Sequence, residues 1–297
     1  FTLQNRCGET IWPGILANAG RPQLMGGGLQ LNPGQIINVG APTGWSGRIW
    51  GRRGCTFNQS GRGSCITGDC GGVLKCAGTG TDAAIFTLQN RCRETIWPGI
   101  LATLGKPQLM GGGFRLNPGQ TINVGAPTGW SGRIWGRRGC SFDQSGRGSC
   151  VSGDCGGVLK CSGVGGVPPA TLAEFTLNSP LDYYDMSLVD GFNLLMSIIP
   201  SNGSCKRIGC RSDVNQHCPA GLQVKRNNRV VACKSACFAF NQPQYCCTGA
   251  YGNPNTCKPT NYSKIFKDCC PSAYSYAYDD RTSLFTCNGA NYLIRFC

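Results

Sequence analysis

The chain has 297 residues, among them 22 Cys, 45 Gly and 17 Pro; that length suits one large domain or two ordinary ones, and that many Cys exclude a reducing cytoplasm. Twenty-eight Lys and Arg against 14 Asp and Glu give a formal charge of +14, which favours anionic surfaces without conferring specificity. Apolar residues make up 40%, enough for a core, and no run approaches the roughly 18 residues of a membrane span. The chain also does not open with the basic, apolar and small-residue segments of a signal peptide, so a soluble, secreted protein with its signal already removed is expected.

Residues 1–76 return at 86–161 with 11 differences, whereas everything after about residue 171 occurs once. Two such copies followed by a different segment do not make a solenoid, whose shorter units recur three or more times. Within each copy, segments such as Phe86-Thr-Leu-Gln-Asn and Gln120-Thr-Ile-Asn-Val alternate apolar with polar residues between Gly and Pro breaks, the pattern of short antiparallel strands. Gly26-Gly-Gly and Gly111-Gly-Gly lack the strand-turn-helix context and Lys-Ser/Thr ending of a nucleotide loop and read as turns. Asn58, Asn202 and Asn261 each begin an N-x-Ser sequon, open to glycosylation where the loop faces solvent. Around 231–247 and 262–270 the spacing of Ala236 and Phe240, then of Tyr262, Ile265, Phe266 and Cys269, predicts short helices. At the end of the chain, Asn288-Gly289 between two apolar segments predicts a terminal hairpin. A mainly β chain with a Cys-dense helical insert implies a sandwich core and a disulfide-pinned lobe.

The stretch Gly61-Arg-Gly-Ser-Cys-Ile-Thr-Gly-Asp-Cys70 recurs from Gly146 to Cys155 with Ser152 in place of Thr67. Together with Trp130-Ser-Gly-Arg-Ile-Trp-Gly-Arg, Pro168-Pro-Ala-Thr-Leu-Ala-Glu-Phe, Asp185-Met-Ser-Leu-Val-Asp-Gly-Phe-Asn and Cys246-Cys-Thr-Gly-Ala-Tyr, it resembles the thaumatin-like family, the plant pathogenesis-related group five proteins. The resemblance covers a complete domain over 86–297 and only the opening third of one over 1–85. It implies a thaumatin-like β-sandwich, a small Cys-rich loop domain and a disulfide-rich helical and loop domain, with a cleft beside the sandwich. It also implies the bridges Cys92–Cys297, Cys140–Cys150, Cys155–Cys161, Cys205–Cys287, Cys210–Cys270, Cys218–Cys233, Cys237–Cys246 and Cys247–Cys257. In the partial copy, Cys55–Cys65 and Cys70–Cys76 fall into the matching local pairs. Cys7 and Cys269 are left over: a bridge between them, free thiols, or competition of Cys7 with Cys92 for Cys297 all stay open. So does the oligomeric state, because a partial copy would leave strand edges unpaired.

Glu174, Asp185 and Asp190, with Asp279 or Asp280 and Arg133, resemble the family's acidic cleft. On that resemblance the protein is a secreted plant defence protein of the apoplast, or of the vacuole, that binds β-1,3-glucan or another polysaccharide of the fungal cell wall. The alternative is a weak endo-β-1,3-glucanase. Glu174 would then protonate the leaving oxygen and Asp190 act as base, while Asp185 and Asp279 shape the charge and Arg133 orients a hydroxyl or restrains a carboxylate. Tyr183 and Tyr184 are adjacent strand residues, so one is expected to face outward, where it could stack on sugar, and the other inward; Phe192 is expected in the core. A third reading brings Arg52, Arg53, Arg137 and Arg138 to an anionic membrane surface, though no long amphipathic helix accompanies them. Nucleic acid is set aside for want of a recognition helix, zinc-finger spacing or an aromatic-interleaved motif. No cofactor is implied. No metal site is expected either, with one His, His217, and the Cys taken up by the implied bridges.

Overall fold

The computed structural model describes residues 1–17, 21, 23–58, 61–70, 72, 74–76, 82–177 and 181–297, with the backbone alone at 82 and 83. They form two units, Phe1–Asp82 and Ala83–Cys297.

The second unit carries the sandwich. Its sheet-forming strands are β1 (Asp82–Asn90), β2 (Ile96–Ala102), β3 (Thr121–Pro127), β4 (Ser131–Arg138), β5 (Leu172–Thr176), β6 (Asp182–Ser187), β7 (Met196–Pro200), β8 (Ile208–Gly209), β9 (Ala273–Tyr274), β10 (Phe285–Cys287) and β11 (Tyr292–Phe296). One sheet runs β9-β6-β5-β4-β2, with β10 also paired to β6, and the other runs β8-β7-β11-β1-β3. Alternation decides what each strand buries. In β5, Ala173 and Phe175 enter the core, and in β6, Tyr184 and Met186 do so, which turns the residues between them to the opposite face. Rings join the two sheets: Phe86 lies 4.6 Å from Phe175, and Tyr292 lies 5.1 Å from Phe175 and 5.4 Å from Tyr184, centroid to centroid. Each such pair adds about 0.5–1.5 kcal/mol beyond the area it buries. The phenols of the buried tyrosines are satisfied, Tyr184 donating to the Lys206 carbonyl at 2.5 Å and Tyr292 to Asp182 Oδ2 at 2.8 Å.

The expected terminal hairpin does not form. Strand β10 pairs antiparallel with β6, Phe285 opposite Tyr184, whereas β11 lies between β7 and β1 and runs parallel to β1, Tyr292 opposite Phe86. The Asn288-Gly289 segment therefore passes from one sheet to the other. Tyr292, Ile294 and Phe296 are all buried, and two flanking strands bury them more completely than a hairpin partner on one side would.

The Cys-dense segment is helical where the apolar spacing predicts it, with a different beginning. Residues 231–233 belong to the strand Arg229–Cys233, paired with Gln223–Arg226, and the helices are α1 (Ala236–Phe240), α2 (Pro243–Cys246) and α3 (Asn261–Cys269). Thr260 caps α3, its Oγ1 accepting from the Ser263 amide at 3.3 Å while Ser263 Oγ accepts from the Thr260 amide at 2.8 Å. Thr260→Ala is expected to lower stability by about 1 kcal/mol, read from urea unfolding. The same box alters the reading of one sequon: Asn261 opens a helix, and Ser263 is buried in its first turn. Asn202 instead sits in a turn where Ser204 is exposed, and Asn58 is exposed, while 59 and 60 lie outside the described residues.

The ten disulfides are Cys55–Cys65, Cys70–Cys76, Cys92–Cys297, Cys140–Cys150, Cys155–Cys161, Cys205–Cys287, Cys210–Cys270, Cys218–Cys233, Cys237–Cys246 and Cys247–Cys257. Cys7 is an exposed thiol and Cys269 a buried one, so the bridge considered between them is not made, and Cys92 holds Cys297 in place of Cys7.

The first unit builds shorter versions of the same ladders. Thr2–Gln4 pairs with Ile36–Asn38 and Gly14–Ala17 with Gly47–Trp50, around a small core of Ile15, Leu24 and Val39. Phe1 is 58% exposed where its counterpart Phe86 is fully buried; residues 1–85 contain no counterpart of the Phe175 and Tyr292 rings that cover Phe86.

Candidate functional site

The site is laid out by strand register. Arg133 on β4 faces Glu174 on β5, and Glu174 faces Asp185 on β6; Leu101 on β2 faces Arg133 from the other side. Four strands thus place Leu101, Arg133, Glu174 and Asp185 in one row, on the sheet face opposite Phe175 and Tyr184. Directly opposed side chains begin only about 4.5–5.5 Å apart at Cβ. The next row is polar and neutral: Thr103 and Ser131 hydroxyls lie 3.1 Å apart, Ser131 and Thr176 3.2 Å apart, and Tyr183 stands opposite Thr176.

This face floors an open groove. One cavity of 770 Å³ is lined by the charged row, by Thr176 and Tyr183, and at its rim by Leu104 and Lys106. A second, of 420 Å³, is lined by the same Arg133, Glu174 and Asp185 together with Asp190, Tyr274 and Asp280. The three shared residues make the two cavities one trough. Asp190 enters it from the turn after β6, next to Gly191 at φ 93°, a backbone angle that favours glycine. Tyr274 on β9 donates its hydroxyl to Asp280 Oδ1 at 2.8 Å.

Asp279 is placed differently. Its Oδ2 accepts from Lys267 Nζ at 2.9 Å, the Ser275 amide at 3.1 Å and Ser275 Oγ at 2.9 Å, and its Oδ1 accepts from Thr282 Oγ1 at 3.0 Å. That carboxylate ties α3 to the segment after β9 and lines neither cavity of the trough.

Burial raises the carboxyls of the row. Desolvation pushes Glu174 up; the Arg133 charge opposes this and Asp190 reinforces it. Desolvation, then Glu174 and Asp280, push Asp185 up to about 8, so it is mainly protonated at neutral pH. Its Oδ1 is buried without a hydrogen-bond partner. Among the described residues the ion pairs are Arg53–Glu9, Arg138–Glu94 and Lys267–Asp279, so the Arg133 guanidinium is in none of them. Two neighbouring carboxyls, that of Asp185 neutral, and a guanidinium in line beside a row of hydroxyls can exchange hydrogen bonds with a polyhydroxylated chain. The same pair of carboxyls, one holding its proton, also meets the first requirement of acid-base chemistry.

The neighbouring tyrosines divide as strand geometry requires: Tyr183 is 40% exposed in the trough and Tyr184 is in the core, as is Phe192. Residue spacing did not reveal Thr103, Ser131, Thr176 and Tyr274. Ser131 and Thr176 are legible as same-face neighbours, since each stands two residues from a charged member of the row, and Thr103 stands two from Leu101. Of the Arg pairs that the third reading brings to a membrane surface, Arg52 and Arg137 are buried, whereas Arg53 and Arg138 pair with Glu9 and Glu94; on β4 the division follows from consecutive strand residues pointing to opposite faces.

A mainly β protein with ten disulfides and an acidic trough is of a kind suited to an oxidising, extracellular setting. The chain matches the model of the Thaumatin family over residues 5–89 and 90–297 and belongs to that family. It is 59% identical over 229 residues to Pathogenesis-related protein 5 of Arabidopsis thaliana, covering 76% of this chain and 95% of that protein. It is 50% identical over 225 residues to a protein of Prunus avium named Glucan endo-1,3-beta-glucosidase, covering 73% of this chain and 92% of that one. Among solved structures, a laminaripentaose-producing β-1,3-glucanase in complex with laminaritetraose shares the fold. The TM-score is 0.53 at 12% identity, covering 71% of this chain and 98% of that one.

Proposed function

We propose that the protein is an extracellular plant defence protein, of the apoplast or vacuole, whose acidic trough binds β-1,3-glucan of fungal walls. The observation that carries this is the row Arg133–Glu174–Asp185 on the floor of an open trough, flanked by hydroxyls and an outward Tyr183. Charged donors and acceptors fix sugar hydroxyls, while the Tyr183 ring offers an apolar face to the ring carbons. The pathogenesis-related relative and the glucosidase-named relative support the setting and the substrate class. Glu174→Gln is expected to weaken binding of a β-1,3-glucan oligosaccharide about tenfold, the loss of one charge-assisted hydrogen bond, with the melting temperature held. Titration calorimetry checks it, and wild-type affinity in the variant would sink the reading.

One observation favours the hydrolytic reading. The carboxyl held protonated at neutral pH is that of Asp185, with Glu174 as its neighbour. In this reading Asp185 competes with Glu174 for the role of acid, and Asp190, across the trough, is the base. Release of reducing sugar that Asp185→Asn abolishes while binding survives supports hydrolysis through Asp185. Release abolished by Glu174→Gln alone assigns the acid to Glu174, and binding without release leaves a lectin-like role.

A further inference from the structure

A second groove, of 560 Å³, is lined by none of the trough's residues and has the opposite charge. Lys206, Arg207 and Arg211 line it together with Ser197 and Phe285, and no Asp or Glu does. All three cations are exposed, and none takes part in an ion pair among the described residues.

The backbone that carries the cations is held in place. Cys205, at one end of their segment, is bridged to Cys287 and Cys210, near the other, to Cys270. Between them Ile208–Gly209 pairs with Ser197 and Ile198, and the Lys206 carbonyl accepts from the buried Tyr184 phenol. At Gly209 a Cβ would stand 2.7 Å from the Ser197 Cβ, so the floor has little room to shift. Like charges gathered on one backbone segment at a concavity raise a positive potential there, which an anion relieves.

We infer that this groove binds a carboxylated sugar chain, a run of uronic acid residues. Arg207 and Arg211 present planar forks that match carboxylates, Lys206 adds a point charge, and Ser197 and the Phe285 ring offer a hydroxyl and an apolar face for the sugar itself. The volume lies in the range of pockets that enclose small ligands. A concave site suits a single flexible chain better than a lipid surface, which calls for a flat or inserting face.

The test uses the full chain and a galacturonic acid oligomer, measured by titration calorimetry against its methyl ester and against an Arg207→Gln, Arg211→Gln double variant. The acid oligomer is expected to bind, to lose at least tenfold in affinity in the variant, and to weaken as salt rises from about 50 to about 300 mM; the ester is expected not to bind. Unchanged thermal unfolding shows that the variant is folded. Equal affinity of variant and wild type, or of ester and acid, overturns the inference. So does tighter capture of duplex DNA or of anionic phospholipid vesicles than of the uronate at the same salt.

Discussion

Arg137→Met is expected to destabilise the second unit by about 3–5 kcal/mol, the scale of breaking a buried, hydrogen-bonded charge. The Arg137 side chain is 0% exposed. Its guanidinium donates to the carbonyls of Trp97 at 2.9 Å, Val158 at 2.8 Å, Leu159 at 2.7 Å and Pro98 at 3.3 Å. Burial lowers its pKa to about 10, with Asp154 acting in the opposite sense, so the group stays charged at neutral pH. Met fills much of the space but leaves those carbonyls without their donor in the interior, and each lost partner costs on the order of 1 kcal/mol or more. Arg138 is the internal control. It pairs with Glu94 at the surface, so Arg138→Met should cost less than about 1 kcal/mol. Urea unfolding of the two variants decides the matter, and equal losses would refute the assignment. Arg52 repeats the arrangement in the first unit, donating to Trp12 and Leu74 carbonyls at 2.8 and 2.5 Å.

Asp185→Asn should stabilise the protein, and by more as pH rises. The folded state holds the Asp185 proton up to about pH 8, against an ordinary value of 3.8 for the side chain. Between those values the unfolded chain has released a proton that the folded chain still binds, so wild-type stability falls as pH rises through that window. Asn has no proton to release, and it can still hydrogen bond. The difference between variant and wild type should therefore be small near pH 4, grow through pH 6 and level off above pH 8, at about 2 kcal/mol once partial solvent access is allowed for. Unfolding free energies at those three pH values test it, and a pH-independent difference would count against a raised Asp185.

Local chemistry made the strands legible and left their partners open. Alternation through Phe86 and Ile122 marks strands, but nothing local says that Arg133, Glu174 and Asp185, up to 52 positions apart, share a row. That follows from pairing, and pairing is decided by which faces are buried together. The terminal segment shows the limit: Asn288-Gly289 carries a sound hairpin signal, yet burial of Tyr292, Ile294 and Phe296 between two other strands prevails. Asp279 and Asp280 show it at the scale of one residue. They are neighbours in sequence, but Lys267 and Ser275 hold the first while the second reaches Tyr274 and the trough.

The row of charges on β4, β5 and β6 also constrains how such a protein can change over generations. Inserting or deleting one residue within β5 would turn Glu174 into the core and Phe175 into the trough, so the floor can vary only by substitution at alternate positions. The rim is under no such restriction, because loops tolerate change that strands do not. The two copies within this chain follow that division. Of their 11 differences, Asn18 against Thr103, Ala19 against Leu104 and Arg21 against Lys106 cluster in the short stretch that in the second copy lines the trough. Arg48 and Arg133, by contrast, are the same residue. Leu104, fully exposed at that edge, stands where the chain can change without disturbing the sheet beneath it.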